Sequence, residues 1–217
     1  MTLPPKFAGH RLTLVDVLPL APHTIEVYLD YTCPYAARTF ATLIAEVLPV
    51  VRADPALAGA IQVIFRQQVQ PWHPASTLTH EAALAVLRTA PDLFWSFSAA
   101  LFAAQREFFD ASAAVETRNQ TYARLARIAD GVGANGDALL DLLRVPEVPS
   151  VDAGYNAGNA VTGDLKEVIK MARLVGVHVT PTVVFDGVVQ DQISSTWTGE
   201  QWIQWLKATI EVTDRSS

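Results

Sequence analysis

Sulfur is scarce in this chain: its 217 residues include one cysteine, Cys33, and two methionines. A single cysteine excludes a disulfide within the chain and any cysteine-rich zinc site. Basic runs are missing as well. With 16 Lys and Arg against 22 Asp and Glu the net charge is −6, which argues against nucleic acid and acidic membrane surfaces as partners. No apolar stretch approaches the roughly 20 residues of a membrane span. The segment Met1–His10 lacks the charged region, apolar core and cleavage site of a secretory leader. The expectation is therefore a reducing, cytoplasmic compartment. His73, His80 and Cys33 match no standard zinc spacing, so neither a metal nor a bound cofactor is expected. What remains, 50% hydrophobic and 18% charged, is a globular composition.

Residues 1–23, rich in Pro and Leu, read as an extended arm with a short strand around Arg11–Val15. Ile25, Val27 and Leu29 alternate with Thr24, Glu26 and Tyr28, which predicts a strand from Thr24 to Tyr31. Pro34 suits a first helical position, and Ala37, Phe40, Ala41, Ile44, Val47 and Leu48 recur at helical spacing as far as Val51. Pro55 and Gly59 break that pattern, and Ile61–Phe65 reads as a second strand. A strand–helix–strand unit of this length suits a parallel crossover. Residues 76–145 carry only helical patterns, and a further helix is expected from Ala153 to Val175. Strand character returns at Val177–Phe185, with Asp186-Gly187 as a hairpin turn and Val188–Gln190 as the returning strand. Thr198 caps a last helix to Val212, which places Trp202, Ile203, Leu206 and Ile210 on one face.

Cys33 stands where the first strand turns into the first helix. A thiol there faces unpaired backbone N–H groups and the positive end of the helix dipole. Such surroundings can lower a cysteine pKa from about 8.5 to between roughly 3.5 and 7.5. The bland alternative is a small buried hydrophobe, the usual fate of a lone cysteine. Ala36 occupies the position, three residues on, where a dithiol enzyme carries its second sulfur. Trp72-His73-Pro74 follows the second strand at the end where α/β sheets build sites. His73 there either stabilises a thiolate, shuttles a proton, or simply bonds a loop carbonyl. Tyr35 is a substrate contact or a rim aromatic. Asp30, on the strand face of Glu26, reads as a half-exposed strand-end residue rather than the alternative, a buried acid that relays protons below the thiol. A Cys33/His73/Asp30 triad fits the residue types, but no local protease signature accompanies it. Trp95, Phe97, Phe102, Phe108 and Phe109 read as the core of the helical block, some of them over the thiol.

The run Tyr31-Thr-Cys33-Pro-Tyr-Ala36, the Thr180-Pro181 pair ahead of a strand, and the order of elements together resemble the DsbA-like thioredoxin-domain family. The resemblance covers nearly the whole chain. It implies an α/β, thioredoxin-like fold with an inserted all-helical subdomain, residues 1–75 and 150–217 forming the thioredoxin-like domain and 76–149 the insertion. It further implies Cys33 as the nucleophile and a cis Pro181 facing it, with Thr180 and Pro181 as the wall that holds a ligand backbone; Pro34, Tyr35 and His73 are the further candidate binding residues beside it. Ala36 departs from the dithiol pattern, so a captured partner would stay as a mixed disulfide until an external thiol resolved it. The expected function is a thiol-dependent oxidoreductase with a single nucleophilic cysteine. Its expected substrate is a small-molecule thiol, a disulfide or a peptide, with glutathione as a candidate co-substrate. Two alternatives stay open: a redox-inactive binding module on the same fold, and glutathione transferase or isomerase chemistry. The latter arises because kappa-class glutathione transferases and hydroxychromene carboxylate isomerases resemble this chain with Ser-Pro-Tyr in place of Cys-Pro-Tyr. The apolar composition adds a homodimer to the expectations.

Overall fold

The computed structural model of the chain describes residues 3–12, 14, 21–146 and 155–216. Five strands build one mixed sheet: β1 (Arg11–Leu12), β2 (His23–Leu29), β3 (Ile61–Gln67), β4 (Thr182–Phe185) and β5 (Val188–Val189). Their spatial order is β1-β3-β2-β4-β5, with β2 parallel to β3 and every other pair antiparallel. All seven residues of β3 are buried, as are six of the seven in β2. Both faces of this centre are therefore covered, as the long β-branched runs require. Ile25, Val27, Leu29, Val63 and Phe65 enter the main core on one face. Tyr28 turns to the other and packs with Ala172, Val177 and Val184.

A buried ion pair shares Tyr28's face. Arg66 Nε donates to Glu26 Oε2 at 2.9 Å, and the Tyr28 hydroxyl donates to the same oxygen at 3.0 Å. Burial alone would push the Glu26 carboxyl up, but the Arg66 hydrogen bond and charge outweigh it and hold the carboxyl below its usual value. Arg66→Met strips Glu26 of its guanidinium and is expected to cost about 3–5 kcal/mol in urea unfolding at neutral pH. A loss within about 0.5 kcal/mol, the scale of an ordinary surface change, would refute that.

The helical run after Cys33 contains a defect. α1 (Pro34–Thr42) passes through a π turn (Leu43–Val47) into α2 (Leu48–Ala53). Pro49 has no N–H to give, and its ring crowds the carbonyl four residues back. The wider turn just before it relieves both. Pro55 opens a helix where a break was expected: the Asp54 carboxylate accepts from Ala56 N and Leu57 N and caps α3 (Pro55–Ala60).

Between β3 and β4 the described chain is helical, comprising α4 (Ser76–Thr89), α5 (Phe94–Ala103), α6 (Asp110–Ala113), α7 (Arg118–Gly131), α8 (Gly136–Leu143) and α9 (Thr162–Leu174). α4 packs against α5, α7, α8 and α9. Its buried Glu81 accepts from Arg118 with both carboxylate oxygens at 3.0 Å and from the Tyr122 hydroxyl. Asp186 (φ 47°) and Gly187 (φ 84°) form the two-residue hairpin turn between β4 and β5. Thr198 and Gln201 exchange backbone and side-chain bonds at the start of α10 (Gly199–Ser216), whose Trp202, Leu206 and Ile210 are buried.

Some expected boundaries move. Pro5–His10 is a 3-10 helix rather than extended, and residues 177–181 approach β4 without joining the sheet. The helix expected from Ala153 begins at Thr162; residues 153 and 154, like Thr13 and Val15, lie outside the described residues. Among the described residues no helix is long and apolar enough to cross a membrane.

Candidate thiol site

Cys33 is the N-cap of α1, in extended conformation at φ −88° and ψ 118°, with Pro34 at the first helical position. Its backbone is clamped on both sides. The Cys33 N–H donates to Asp30 O at 3.1 Å, and the Gln105 amide donates to Tyr31 O at 2.7 Å and to Cys33 O at 2.9 Å. Beneath it the Tyr31 ring is fully buried, stacked on Phe65 and tilted against Phe102 and His80. The Tyr31 hydroxyl lies 2.8 Å from Ser98 Oγ.

The Thr180–Pro181 peptide bond is cis, and the Cys33 thiol donates to Thr180 O at 3.5 Å. Across the molecule, then, the sheet brings a residue of the approach to β4 onto the tip of α1. The sulfur is not bared to solvent: Cys33 is only 5% exposed. Tyr35, two residues on, is 57% exposed, and Trp72, whose ring lies against His73, is 60% exposed. Ala36, one turn into the helix, is fully buried and completes the sulfur-free wall below.

Asp30 is the larger departure. It is fully buried, not half-exposed, because the polar groups around it supply a complete set of donors. Oδ1 accepts from Thr32 N at 2.8 Å and Thr32 Oγ1 at 2.7 Å; Oδ2 accepts from Gln70 N and Ser76 Oγ, both at 2.9 Å. His73 Nδ1 stands 3.4 Å from Oδ2 and His80 Nε2 stands 3.8 Å from Oδ1. The His73 side chain is 24% exposed, and His73 lines a cleft of about 320 Å³. Thr32 and Pro34 share that wall, flanking Cys33 in sequence, while Phe108, Phe109 and Asp110 form the facing one.

Behind Asp30 the buried polar chain continues. Gln67 Nε2 donates to His80 Nδ1 at 3.1 Å and to His80 O at 2.9 Å, and Gln67 Oε1 lies 2.9 Å from His10 Nε2. Among the described residues no group of three or more His, Cys, Asp or Glu side chains is placed to hold a metal ion.

A thioredoxin family model matches residues 19–208. The chain belongs to the thioredoxin family. Among solved structures it is similar to BdbD from Bacillus subtilis in its oxidised form, at 18% identity over 94% of each chain with a TM-score of 0.66. It is also similar to a candidate protein-disulfide isomerase from Pseudomonas syringae, at 22% identity over 93% of this chain and 99% of that one, TM-score 0.65. A third is MdbA, a thiol-disulfide oxidoreductase from Corynebacterium matruchotii, at 18% identity over 88% and 85% of the two chains, TM-score 0.59. No curated protein matches the chain. These likenesses make the architecture a DsbA-like thioredoxin fold.

Pro34 and His73 line one cleft of this thioredoxin scaffold, whereas Tyr35 is exposed and does not line it. Sequence reasoning overlooked Gln105 and misread Asp30. An Asp two residues before a Thr at a strand end is an Asx-turn signal, whereas nothing near Gln105 in sequence links it to a loop formed by residues 31–33.

Proposed function

We propose that the protein is a single-sulfur thiol–disulfide exchange enzyme. Cys33 attacks a disulfide, takes one half as a mixed disulfide and releases the other as a thiol; an external small thiol such as glutathione then discharges it. The observation that carries this reading is the Cys33 sulfur at the N-terminus of α1, 3.5 Å from the carbonyl of Thr180. A ligand backbone bound along Thr180-Pro181 would displace that thiol contact and lie against the sulfur. The solved structures named as thiol-disulfide oxidoreductases support the same chemistry. Ala36 leaves the chain without an internal resolving sulfur, which makes a reduced thiol pool, and with it a cytoplasmic setting, part of the proposal.

The test is incubation with oxidised glutathione followed by intact-mass measurement. One glutathione per chain is expected, and none on Cys33→Ser. An unmodified wild-type chain after prolonged exposure would refute the reading.

The low exposure of Cys33 favours a second reading, a redox-inactive binding module that uses the exposed Tyr35 and Trp72. Under it Cys33→Ser leaves partner binding intact; under the exchange reading the substitution removes covalent capture altogether. A serine that sustained glutathione transfer would point instead to transferase or isomerase chemistry.

A further inference from the structure

An enzyme with one sulfur depends on a thiol it does not own, and that thiol is protonated. With a pKa of about 8.5, only about 3% of a small thiol is thiolate at pH 7. A base beside the mixed disulfide would relieve this deficit, and the buried polar chain at the thiol site is arranged to supply one.

The arrangement is read from who can donate. Asp30 Oδ2 is an acceptor, so the His73 nitrogen facing it at 3.4 Å, Nδ1, carries the ring proton. The neutral ring then keeps its lone pair on Nε2. Asp30 itself is held in place by Thr32, Gln70 and Ser76, so the carboxylate cannot swing away from the histidine. Behind it, Gln67 donates to His80 Nδ1, which leaves the His80 proton on Nε2, 3.8 Å from Asp30 Oδ1 and beyond hydrogen-bond reach. His73 is thus the outermost member of a polar chain whose inner members are fully buried. Its ring lines the cleft that Thr32 and Pro34 share, the two residues on either side of Cys33.

We propose that His73 Nε2 is the general base that deprotonates the incoming small thiol, with Asp30 as the positioning residue that fixes its tautomer. The inference rests on Cys33 forming a mixed disulfide, as proposed above. In the step, His73 Nε2 takes the proton of the external thiol, whose sulfur attacks the substrate sulfur bonded to Cys33. The Cys33–substrate S–S bond breaks as the new S–S bond forms between substrate and external thiol. Cys33 leaves as the thiolate and is reprotonated from the imidazolium, so electrons and protons balance with no other reactant. The titratable groups facing His73 among the described residues are Asp30 behind it and Asp110 across the cleft, with His80 beyond Asp30; no Lys or Arg lines the cleft.

The experiment starts from chains already carrying glutathione on Cys33 and measures discharge by reduced glutathione with acid quench and mass detection. His73→Ala is expected to discharge about 10- to 30-fold more slowly than wild type at about pH 7, the deficit a roughly 3% thiolate fraction sets. The gap should close as the pH passes the thiol pKa, and added imidazole should accelerate the variant but not the wild type. Nitrogen-15 NMR of the neutral His73 ring should show the proton on Nδ1. Parallel pH profiles for the two chains, no imidazole rescue, or an Nε2–H tautomer would each overturn the inference while leaving the exchange reading intact. Failure of wild type to accept glutathione at all would instead overturn the exchange reading, and the inference with it.

Discussion

Ala36→Cys is expected to turn a chain that holds its glutathione adduct into one that expels it. Wild type exposed to oxidised glutathione should stop at one glutathione on Cys33, because no second thiol lies in the chain. In the variant a second thiol sits one helical turn from the first, at a buried position directly under the tip of α1. Attack on the mixed disulfide then becomes intramolecular. Even loosely tethered groups see each other at millimolar effective concentration, and oriented ones at far higher values. Intact mass should show the chain two hydrogens lighter, with no glutathione attached and none of the external thiol consumed. The cost is packing: one sulfur added to a filled position destabilises by about 1–3 kcal/mol, which urea unfolding of the reduced variant would read. A variant that keeps glutathione on Cys33 without forming the internal disulfide would show that the two positions do not reach each other. The thioredoxin geometry assigned to this helix start would then be wrong.

The scaffold of this site was legible because it is written locally. Alternation from Ile25 to Leu29, proline at the first helical position, Asp186-Gly187 at a hairpin and Thr198 at a cap each act over a few residues, and each appears in the structure. Cys33 and Thr180-Pro181 could be paired only through family resemblance, since no local rule joins residues 147 apart in sequence. The misses share a cause. Pro49 sits in a helical pattern whose continuity depends on a π turn, a solution that periodicity does not encode. Asp30 looked like a strand-end acid because its donors come from three separate segments: Thr32, Gln70 and Ser76. A carboxylate becomes a buried hub only after tertiary contacts deliver those donors, and composition says nothing of that delivery. The covering of Cys33 by Thr180 follows the same logic.

Acid should destabilise this protein from pH 6.5 downward, well before its paired carboxylates are protonated. Burial lowers His10 to about 3 and His80 to about 4, against the ordinary 6.5. The hydrogen bonds explain why neither can charge in place. The His10 Nε2–H occupies Gln67 Oε1 and leaves a second proton on Nδ1 with no partner, while a proton on His80 Nδ1 would meet the Gln67 amide N–H head-on. The sign follows from linkage: below pH 6.5 the unfolded chain binds protons that the folded chain refuses, so stability falls with pH until the folded values are reached. Each histidine contributes about 2 kcal/mol of loss by pH 5, or about 4 kcal/mol together. That is a large share of the 5–15 kcal/mol typical of a domain. Glu26 and Asp164, held below their usual values by Arg66 and by Arg88 with Lys6, lose their contributions only at lower pH, so the window from 6.5 to 5 reports on the histidines. Urea midpoints should be level from pH 8 to 7 and then drop steeply towards pH 5. His10→Phe, set among Phe7, Phe65 and Phe94, should remove about half of that slope. It should also cost about 1–3 kcal/mol at neutral pH, from the Gln67 oxygen left without its donor. A midpoint that stays level between pH 7 and 5 would mean that these rings are hydrated or already charged in the folded chain, and the polar chain reaching from His10 to Asp30 would have to be redrawn.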